Sequence, residues 1–442
     1  MCTSLMISVP TTTGFVTPRT YVSSRCLEMP GILAQSLFVV PANDSFPLPV
    51  NGVRFVPPFV DSSNQHRWQN DFGFVGIASP PTGSAPPVFC DGLNTAGLSA
   101  GALWMAPGTD YPSSSATGPP EVSYLDFVAW LLGNFERVKH VRRTLERGEV
   151  SIVGPPVLAP PPTTPPVPPP LLPPTPDRWY SPLHFIVTDS TGASIVVEFV
   201  NGQTTIYDSP NGVLTNAPTY DWHRTNVDNY FNLTLLGQST SPAGTVNPVG
   251  GGLVGLPGDS LPSSRFVRAW LLSGAFNGDG GLQPPAIGAG LGQLPPDGTG
   301  WLPAPGQPPT DAKPALPPSY SDAEQTAVTV AMQLVQICMG TPYGMLLEPV
   351  PKSTDPAYTT TYGDYTIWTS VRDHTNLKYY AVSAFSAILT RIGLSECEHA
   401  PPYDKGWLTL PVMPAQAGAD WAVNGNPVSV MPPSATTPAT LD

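Results

Sequence analysis

The chain has 442 residues, enough for a sizeable core, but 59 are Pro and 41 are Gly. Many of these crowd into stretches unable to form core, so one large domain over residues 2–442 is expected rather than two or three. A formal net charge of −13 and a pI near 4.8 argue against nucleic acid, which needs a basic face, and against an anionic membrane surface.

Met1-Cys2 opens the chain and leads into a strand-like run, residues 3–9. Methionine is routinely excised before a small residue, which makes Cys2 the first residue of the mature chain. One residue then carries a thiol and a free α-amine. A thiolate is a strong nucleophile, and an α-amine titrates near ~7.7–8.0, so both nucleophile and base come from Cys2. The plain alternative is an incidental cysteine in an apolar start. No basic n-region and apolar h-region precede Cys2, so no signal peptide is read and a cytoplasmic location is expected. No apolar run approaches the ~20 residues of a membrane span. The other cysteines (Cys26, Cys90, Cys338, Cys397) form no C-x-x-C pair, which argues against a disulfide framework or a zinc site.

Residues 36–40, 72–78 and 98–103 read as further strands, the last preceded by turn residues 91–94. Residues 121–147 read as one or two helices, with Leu125, Val128, Leu131 and Leu132 at helical spacing. Residues 155–176 then hold 13 prolines in 22 positions, open only to polyproline II and read as an extruded insertion. Residues 183–189 and 194–200 form a hairpin around Ser190-Thr191-Gly192, and 212–216 another short strand. Residues 264–273 and 321–340 read as helices, 241–260 and 279–318 as Gly/Pro-rich loops. Residues 365–373 and 377–384 read as a late hairpin turning at 374–376, and a loose tail is expected from about residue 412. Many strands with a few long, irregularly placed helices suggest an α+β layered fold.

Two short motifs carry little weight. Gly97-Leu98-Ser99-Ala100-Gly101 matches the G-x-S-x-G elbow, but a strand runs through it and Pro107-Gly108 follow where a helix should start. Gly288-Ala289-Gly290-Leu291-Gly292 lacks the glycine offset of a dinucleotide fingerprint. The six histidines show no metal-site spacing, and no metal or other cofactor is expected.

Four other stretches stand out beside Met1-Cys2. Arg25 and Glu28 lie in Ser-Ser-Arg-Cys-Leu-Glu-Met, read as just after a strand. Asp91-Gly-Leu-Asn-Thr-Ala-Gly-Leu leads to Trp104. Asn216 lies in Gly-Val-Leu-Thr-Asn-Ala-Pro-Thr-Tyr-Asp-Trp-His, and Arg265 follows Gly-Leu-Pro-Gly-Asp-Ser-Leu-Pro-Ser-Ser. Singly, each has a plain reading: a surface ion pair, a turn, a turn asparagine, a helix-start arginine. Together, in this order, they resemble the choloylglycine hydrolase family of bile salt hydrolases and penicillin V acylases. The resemblance runs from Cys2 to about Arg268 and more weakly through Thr341-Pro-Tyr-Gly and the 365–384 hairpin.

The resemblance implies an N-terminal nucleophile hydrolase fold, two antiparallel sheets between helical layers (αββα). It implies hydrolysis of linear, non-peptide amide bonds in a small-molecule acyl amide. Carried over by motif, Cys2 is nucleophile and base, Arg25 sits beside its thiol, Asn216 donates to the oxyanion and Arg265 braces the site. Glu28 stands where the family has an aspartate holding the α-amine. Trp104 stands where bile salt hydrolases have an asparagine and one branch of penicillin V acylases a tryptophan, so it is expected to line the acyl pocket and to favour penicillin V or N-acyl amides. The family often forms homotetramers, which implies one here with residues 225–255 between subunits. A rival class is a non-catalytic relative that binds amphipathic amides or displays its proline run to a partner.

Overall fold

The strand Cys2–Pro10 forms one edge of an antiparallel sheet and pairs along its length with Arg19–Met29, Cys2 opposite Leu27. The sheet continues through Thr359–Asp373, Lys378–Ser383 and Ser386–Gly393, with Leu346–Pro351 paired to the third strand. The computed structural model describes residues 2–10, 19–29, 35–50, 53–79, 86–155, 181–233, 253, 255–277, 323–339, 346–351, 359–383 and 386–411. The proline run, most of the 241–260 loop, the 279–318 loop and the tail from residue 412 lie outside these residues, apart from Pro155 and residues 253 and 255–260.

A second antiparallel sheet has eight strands. Its centre is Phe74–Ser79, Val88–Asn94, Ser99–Trp104 and Leu183–Thr188, flanked by Ser194–Val200 and Gln203–Asp208 on one side and by Ser36–Val40 and Leu408–Pro411 on the other. Apart from Val88–Asn94, which carries Asp91 and Asn94, the central strands read as mostly apolar runs because both faces are covered. Phe127, Val128 and Leu131 of the helix Phe127–Asn134 pack on one face with Phe185, Val187 and Val197. Leu37, Val39, Val75, Ile77 and Leu93 on the other face meet Ile367, Trp368, Tyr379 and Ile392 of the first sheet. The helices Pro262–Asn277 and Ala323–Met339 cover the outer face of the first sheet, where Phe266, Ala269, Ala327, Ala331 and Val335 pack against Leu5, Ile7, Val22 and Val371. The layers therefore run helix, sheet, sheet, helix.

Several local expectations change. Residues 121–123 form a short parallel pairing with 151–153, so the helical region is two helices, Phe127–Asn134 and Val138–Glu146. Asp91 to Asn94 belong to a strand, and the chain turns after them, where Gly97 adopts φ 82° and its N–H bonds Asn94 O. Ser99 is buried at the start of an unbroken strand, so no nucleophile elbow forms there. Residues 212–216 make only an isolated bridge, Leu214 with Ser4.

That bridge belongs to a seal along the open edge of Cys2–Pro10. The residues whose N–H groups point away from the sheet are Cys2, Ser4, Met6 and Ser8. Met6 N–H bonds Asn211 O at 2.8 Å and Ser4 N–H bonds Leu214 O at 2.8 Å. Ser8 N–H bonds Asn277 Oδ1 at 2.7 Å, at the end of the helix Pro262–Asn277. Gly212, at φ 57°, lets the sealing segment run close: a Cβ there would stand 2.7 Å from Met6 Cβ.

Candidate active site

The fourth outward donor is Cys2 N–H, and it bonds Asn216 Oδ1 at 2.9 Å. The edge seal thus ends in a side chain, which fixes Asn216 beside Cys2. Asn216 Oδ1 also accepts from Arg265 Nη2 at 2.6 Å, while its Nδ2 donates to Trp104 O at 2.7 Å. Arg265 lies in the first turn of the helix Pro262–Asn277, with Pro262 at the start, where a missing N–H costs nothing. Its Nη1 donates to Cys2 O and, at 2.7 Å, to Thr3 Oγ1; its Nε donates to Ser260 O. One buried guanidinium therefore clamps both sides of Cys2 and the amide facing it.

Arg25 and Glu28 lie within the strand Arg19–Met29, not after it. Arg25 is fully buried, and its Nη2 stands 3.8 Å from Cys2 Sγ. The same Nη2 donates to Ala102 O, Nη1 donates to Cys90 O at 2.8 Å and lies 3.6 Å from Asp91 Oδ1, and the guanidinium carbon lies 4.9 Å from the Trp368 ring centroid. Burial lowers its proton affinity, but Cys2 and Asp91 outweigh that, and Arg25 stays firmly cationic. Glu28 accepts from Cys26 Sγ at 3.2 Å and approaches Arg265 Nη1 at 3.9 Å. Trp104 ends the strand Ser99–Trp104, and its side chain is partly exposed. Arg25, Asn216 and Arg265 thus contact Cys2 directly, Glu28 stands beside Cys26 and Arg265, and Trp104 enters through its backbone carbonyl.

Other members escaped the sequence reading. Asp91 accepts from Arg372 Nη1 at 2.7 Å, Ser370 Oγ at 2.7 Å and Tyr379 OH at 2.6 Å, all buried. Asp91 sat in the stretch singled out, yet read as a turn; Arg372 and Tyr379 sat in the late hairpin with nothing to link them to Cys2. His184 and His223 reach the Asn216 segment from behind, through Thr215 O at 3.0 Å and Asn216 O at 2.8 Å. The other cysteines differ from Cys2 in setting. Burial pushes Cys90 and Cys338 up to about 12, and burial, then Glu28, raises Cys26 strongly. Among the described residues, no three His, Cys, Asp or Glu side chains gather as a metal site would require. No helix among them is long and apolar enough to cross a membrane.

The family model of linear amide C–N hydrolases, choloylglycine hydrolase family, matches residues 53–278, half of the chain. The chain belongs to this family. Among curated relatives, a bile salt hydrolase/transferase of Clostridium perfringens is 34% identical over 232 residues, 49% of this chain and 61% of that protein. The chain therefore matches less than two thirds of that relative's length. A penicillin V acylase of Pectobacterium atrosepticum is 25% identical over 338 residues, 76% of this chain and 69% of that protein. Among solved structures, a variant of conjugated bile acid hydrolase from Clostridium perfringens superposes with TM-score 0.59 at 20% identity, covering 93% of this chain and 96% of that one. Penicillin V acylase from Agrobacterium tumefaciens gives 0.52 at 18%, covering 90% and 87%. The choloylglycine hydrolase-type chain accordingly has the αββα fold of the N-terminal nucleophile hydrolases.

Proposed function

We propose that this chain is a cysteine amidase that cleaves a linear, non-peptide amide C–N bond, with Cys2 as nucleophile once Met1 is removed. The observation that carries the reading is the pairing at Cys2: a buried guanidinium 3.8 Å from its sulfur and an amide oxygen 2.9 Å from its nitrogen. A fixed cation at that distance stabilises negative charge on sulfur. With Met1 gone, the nitrogen becomes an α-amine, oriented by Asn216 Oδ1.

The reaction then runs as follows. The amine takes the thiol proton, and the thiolate attacks the substrate carbonyl carbon. The oxygen becomes an oxyanion that accepts a hydrogen bond from Asn216. The Asn216 amide has two N–H groups, of which Trp104 O accepts one. A preorganised donor of this kind is typically worth about 10²–10³ in rate. The ammonium returns its proton to the leaving nitrogen, the C–N bond breaks, and the amine product departs. Water, deprotonated by the amine, attacks the acyl-cysteine, expels the thiolate and releases the acid.

Trp104 gives an acyl pocket a flat aromatic wall, which suits phenoxyacetyl or medium-chain acyl groups through area burial and stacking. These acyl amides are expected to exceed glycine-conjugated bile salts in kcat/KM, and a higher value on glycocholate than on both would overturn the preference. The mechanism is tested on three forms: mature chain, chain with Met1 retained, and Cys2→Ala. Pre-steady-state bursts on a chromogenic acyl amide are expected only from the first, with an acyl adduct on Cys2 by intact mass. A fully active chain that keeps Met1 refutes it; a non-catalytic relative gives no burst in any form.

A further inference from the structure

Asn216 stands between Cys2 and the substrate carbonyl in the mechanism, and its placement depends on more than its own side chain. Its backbone carbonyl accepts from His223 Nε2 at 2.8 Å. The carbonyl before it, Thr215 O, faces His184 Nε2 at 3.0 Å. Two consecutive carbonyls in a segment with no regular secondary structure are therefore held by two buried imidazoles, each with no solvent exposure. Such a segment has no ladder of its own to hold it, so these bonds replace one.

The two rings are anchored differently. His184 lies on the strand Leu183–Thr188, and its Nδ1 faces Glu198 Oε1 at 3.1 Å on the neighbouring strand. Glu198 Oε1 also accepts Tyr220 N–H at 2.9 Å, at the start of the helix Tyr220–Val227. Glu198 thus fixes both His184 and the helix that follows Asn216. His223 sits on that helix, with its ring stacked on Phe266 at 4.7 Å and an interplanar angle of 8°. Burial holds it down at about 4, with the bond to Asn216 opposing and the neighbouring His184 and Arg265 pushing the same way as burial. It is neutral at neutral pH, with its one N–H on Nε2, and among the described residues its Nδ1 has no partner. Phe266 in turn follows Arg265, which grips Asn216 Oδ1 from the front.

We propose that His184 and His223 are positioning residues that hold the Thr215–Asn216 backbone so that the Asn216 amide keeps its place at the oxyanion. The inference rests on the Cys2 mechanism above. An interaction that acts only on the oxyanion changes kcat and kcat/KM together and leaves KM alone. Loss of the His223 N–H should therefore lower kcat without weakening substrate binding.

The test uses His223→Phe, which keeps an aromatic ring to stack on Phe266 but has no N–H, and His223→Gln, whose Nε2 restores a donor. A third variant, His223→Met, keeps the comparison open should the phenylalanine chain fail to fold. Two readouts are taken: the Asn216 position in crystal structures of each form, and steady-state kinetics on the acyl amide the wild type cleaves best. The donor-less variant is expected to lose the 2.9 Å contact between Asn216 Oδ1 and Cys2 N and to fall about 10- to 100-fold in kcat, with KM within about twofold. His223→Gln is expected to recover most of both. An Asn216 amide unmoved in the donor-less variant overturns the inference, as does a glutamine variant as impaired as the phenylalanine one. If the wild type cleaves no acyl amide, the mechanism fails on its own account, and the crystallographic comparison still decides whether His223 positions Asn216.

Discussion

Replacing Asp91 by alanine should be among the most destabilising single changes in this chain. Its carboxylate is fully buried between two buried guanidiniums, Arg372 at 2.7 Å and Arg25 at 3.6 Å, and its second oxygen accepts from Ser370 and Tyr379. Arg372 is pushed down by burial, with Asp91 as the leading opposing influence, so the carboxylate sustains its charge. Removing one partner of a buried ion pair costs about 3–5 kcal/mol, because the remaining charge stays buried. Each hydroxyl left without an acceptor adds about 1–3 kcal/mol. These terms overlap, yet at least about 5 kcal/mol follows, comparable with the whole stability of many domains. Asp91→Asn keeps the shape and presents an oxygen to Arg372 and an NH₂ to the hydroxyls, which rotate to accept; it should recover about half. Urea unfolding of the three proteins is the assay, with a midpoint shift of roughly 2 M for Asp91→Ala at a slope of about 2–3 kcal/mol/M. An alanine variant within about 1 kcal/mol of wild type would refute the reasoning, since it would mean that water or a rearranged partner replaces the carboxylate at no cost.

Three further outcomes are expected. His223 and His374 are held at about 4, chiefly by burial, whereas an unfolded histidine titrates near ~6.5. Below that value the unfolded chain binds protons the folded chain does not, so stability falls with pH, by about 2 kcal/mol per ring between pH 6.5 and 5; urea midpoints that stay level over this range would contradict it. A Cβ at Gly101 would meet Arg25 Cδ and Asp91 Oδ1 at 3.2 Å, so Gly101→Ala should cost about 1–3 kcal/mol and slow turnover by shifting Arg25, measurable as a reduced burst rate with an unchanged Cys2 adduct. Replacing residues 155–176 by a short Gly/Ser linker should leave turnover within a few-fold. The flanks meet at one tyrosine pair: Gly154 lies against the Tyr111 ring, Ser181 O accepts from Tyr111 OH, and Ser181 N–H donates to Tyr124 OH. Shortening the loop changes closure by only about 1 kcal/mol, and a folded but inactive deletion would count against this.

Much of the layering was legible because strand runs such as 36–40 and 194–200 carry their own apolar and β-branched signal. The catalytic candidates were legible only in combination. Arg25 alone reads as a surface ion pair, and its burial depends on Asp91, Cys90 O and Ala102 O, contributed by two strands of the other sheet. Asp91 read as a turn because Gly92 and Asn94 are turn formers, but tertiary packing overrides that preference: a Cβ on Gly92 would strike Leu132 Cδ1 at 2.5 Å, so the glycine marks close helix–sheet packing instead. The 212–216 segment read as a strand from Val213 and Leu214, yet Gly212 at positive φ limits it to a single bridge. Links such as Ser370 and Tyr379 to Asp91 span nearly 300 residues, and no local pattern encodes them.

The edge position of Cys2–Pro10 joins these observations. An edge strand exposes every second N–H, and in most sheets such donors face water or invite another chain. Here Leu214, Asn211 and Asn277 take the donors of Ser4, Met6 and Ser8, and Asn216 takes that of Cys2. A backbone carbonyl in the fourth place would seal the edge equally well but would bring no side-chain N–H beside Cys2. An asparagine side chain supplies both: Oδ1 for the Cys2 nitrogen and Nδ2 on the opposite side of the same planar group. Arg265 makes the choice of face unambiguous, because a guanidinium accepts no hydrogen bond and can only face Oδ1. The bond that closes the sheet edge is therefore the bond that orients Cys2, the proposed nucleophile. A variant that weakens it, such as Arg265→Lys with its single-point cation, should lose edge protection in hydrogen exchange at the Ser4 and Met6 amides and lose turnover in parallel; loss of one with full retention of the other would separate the two roles.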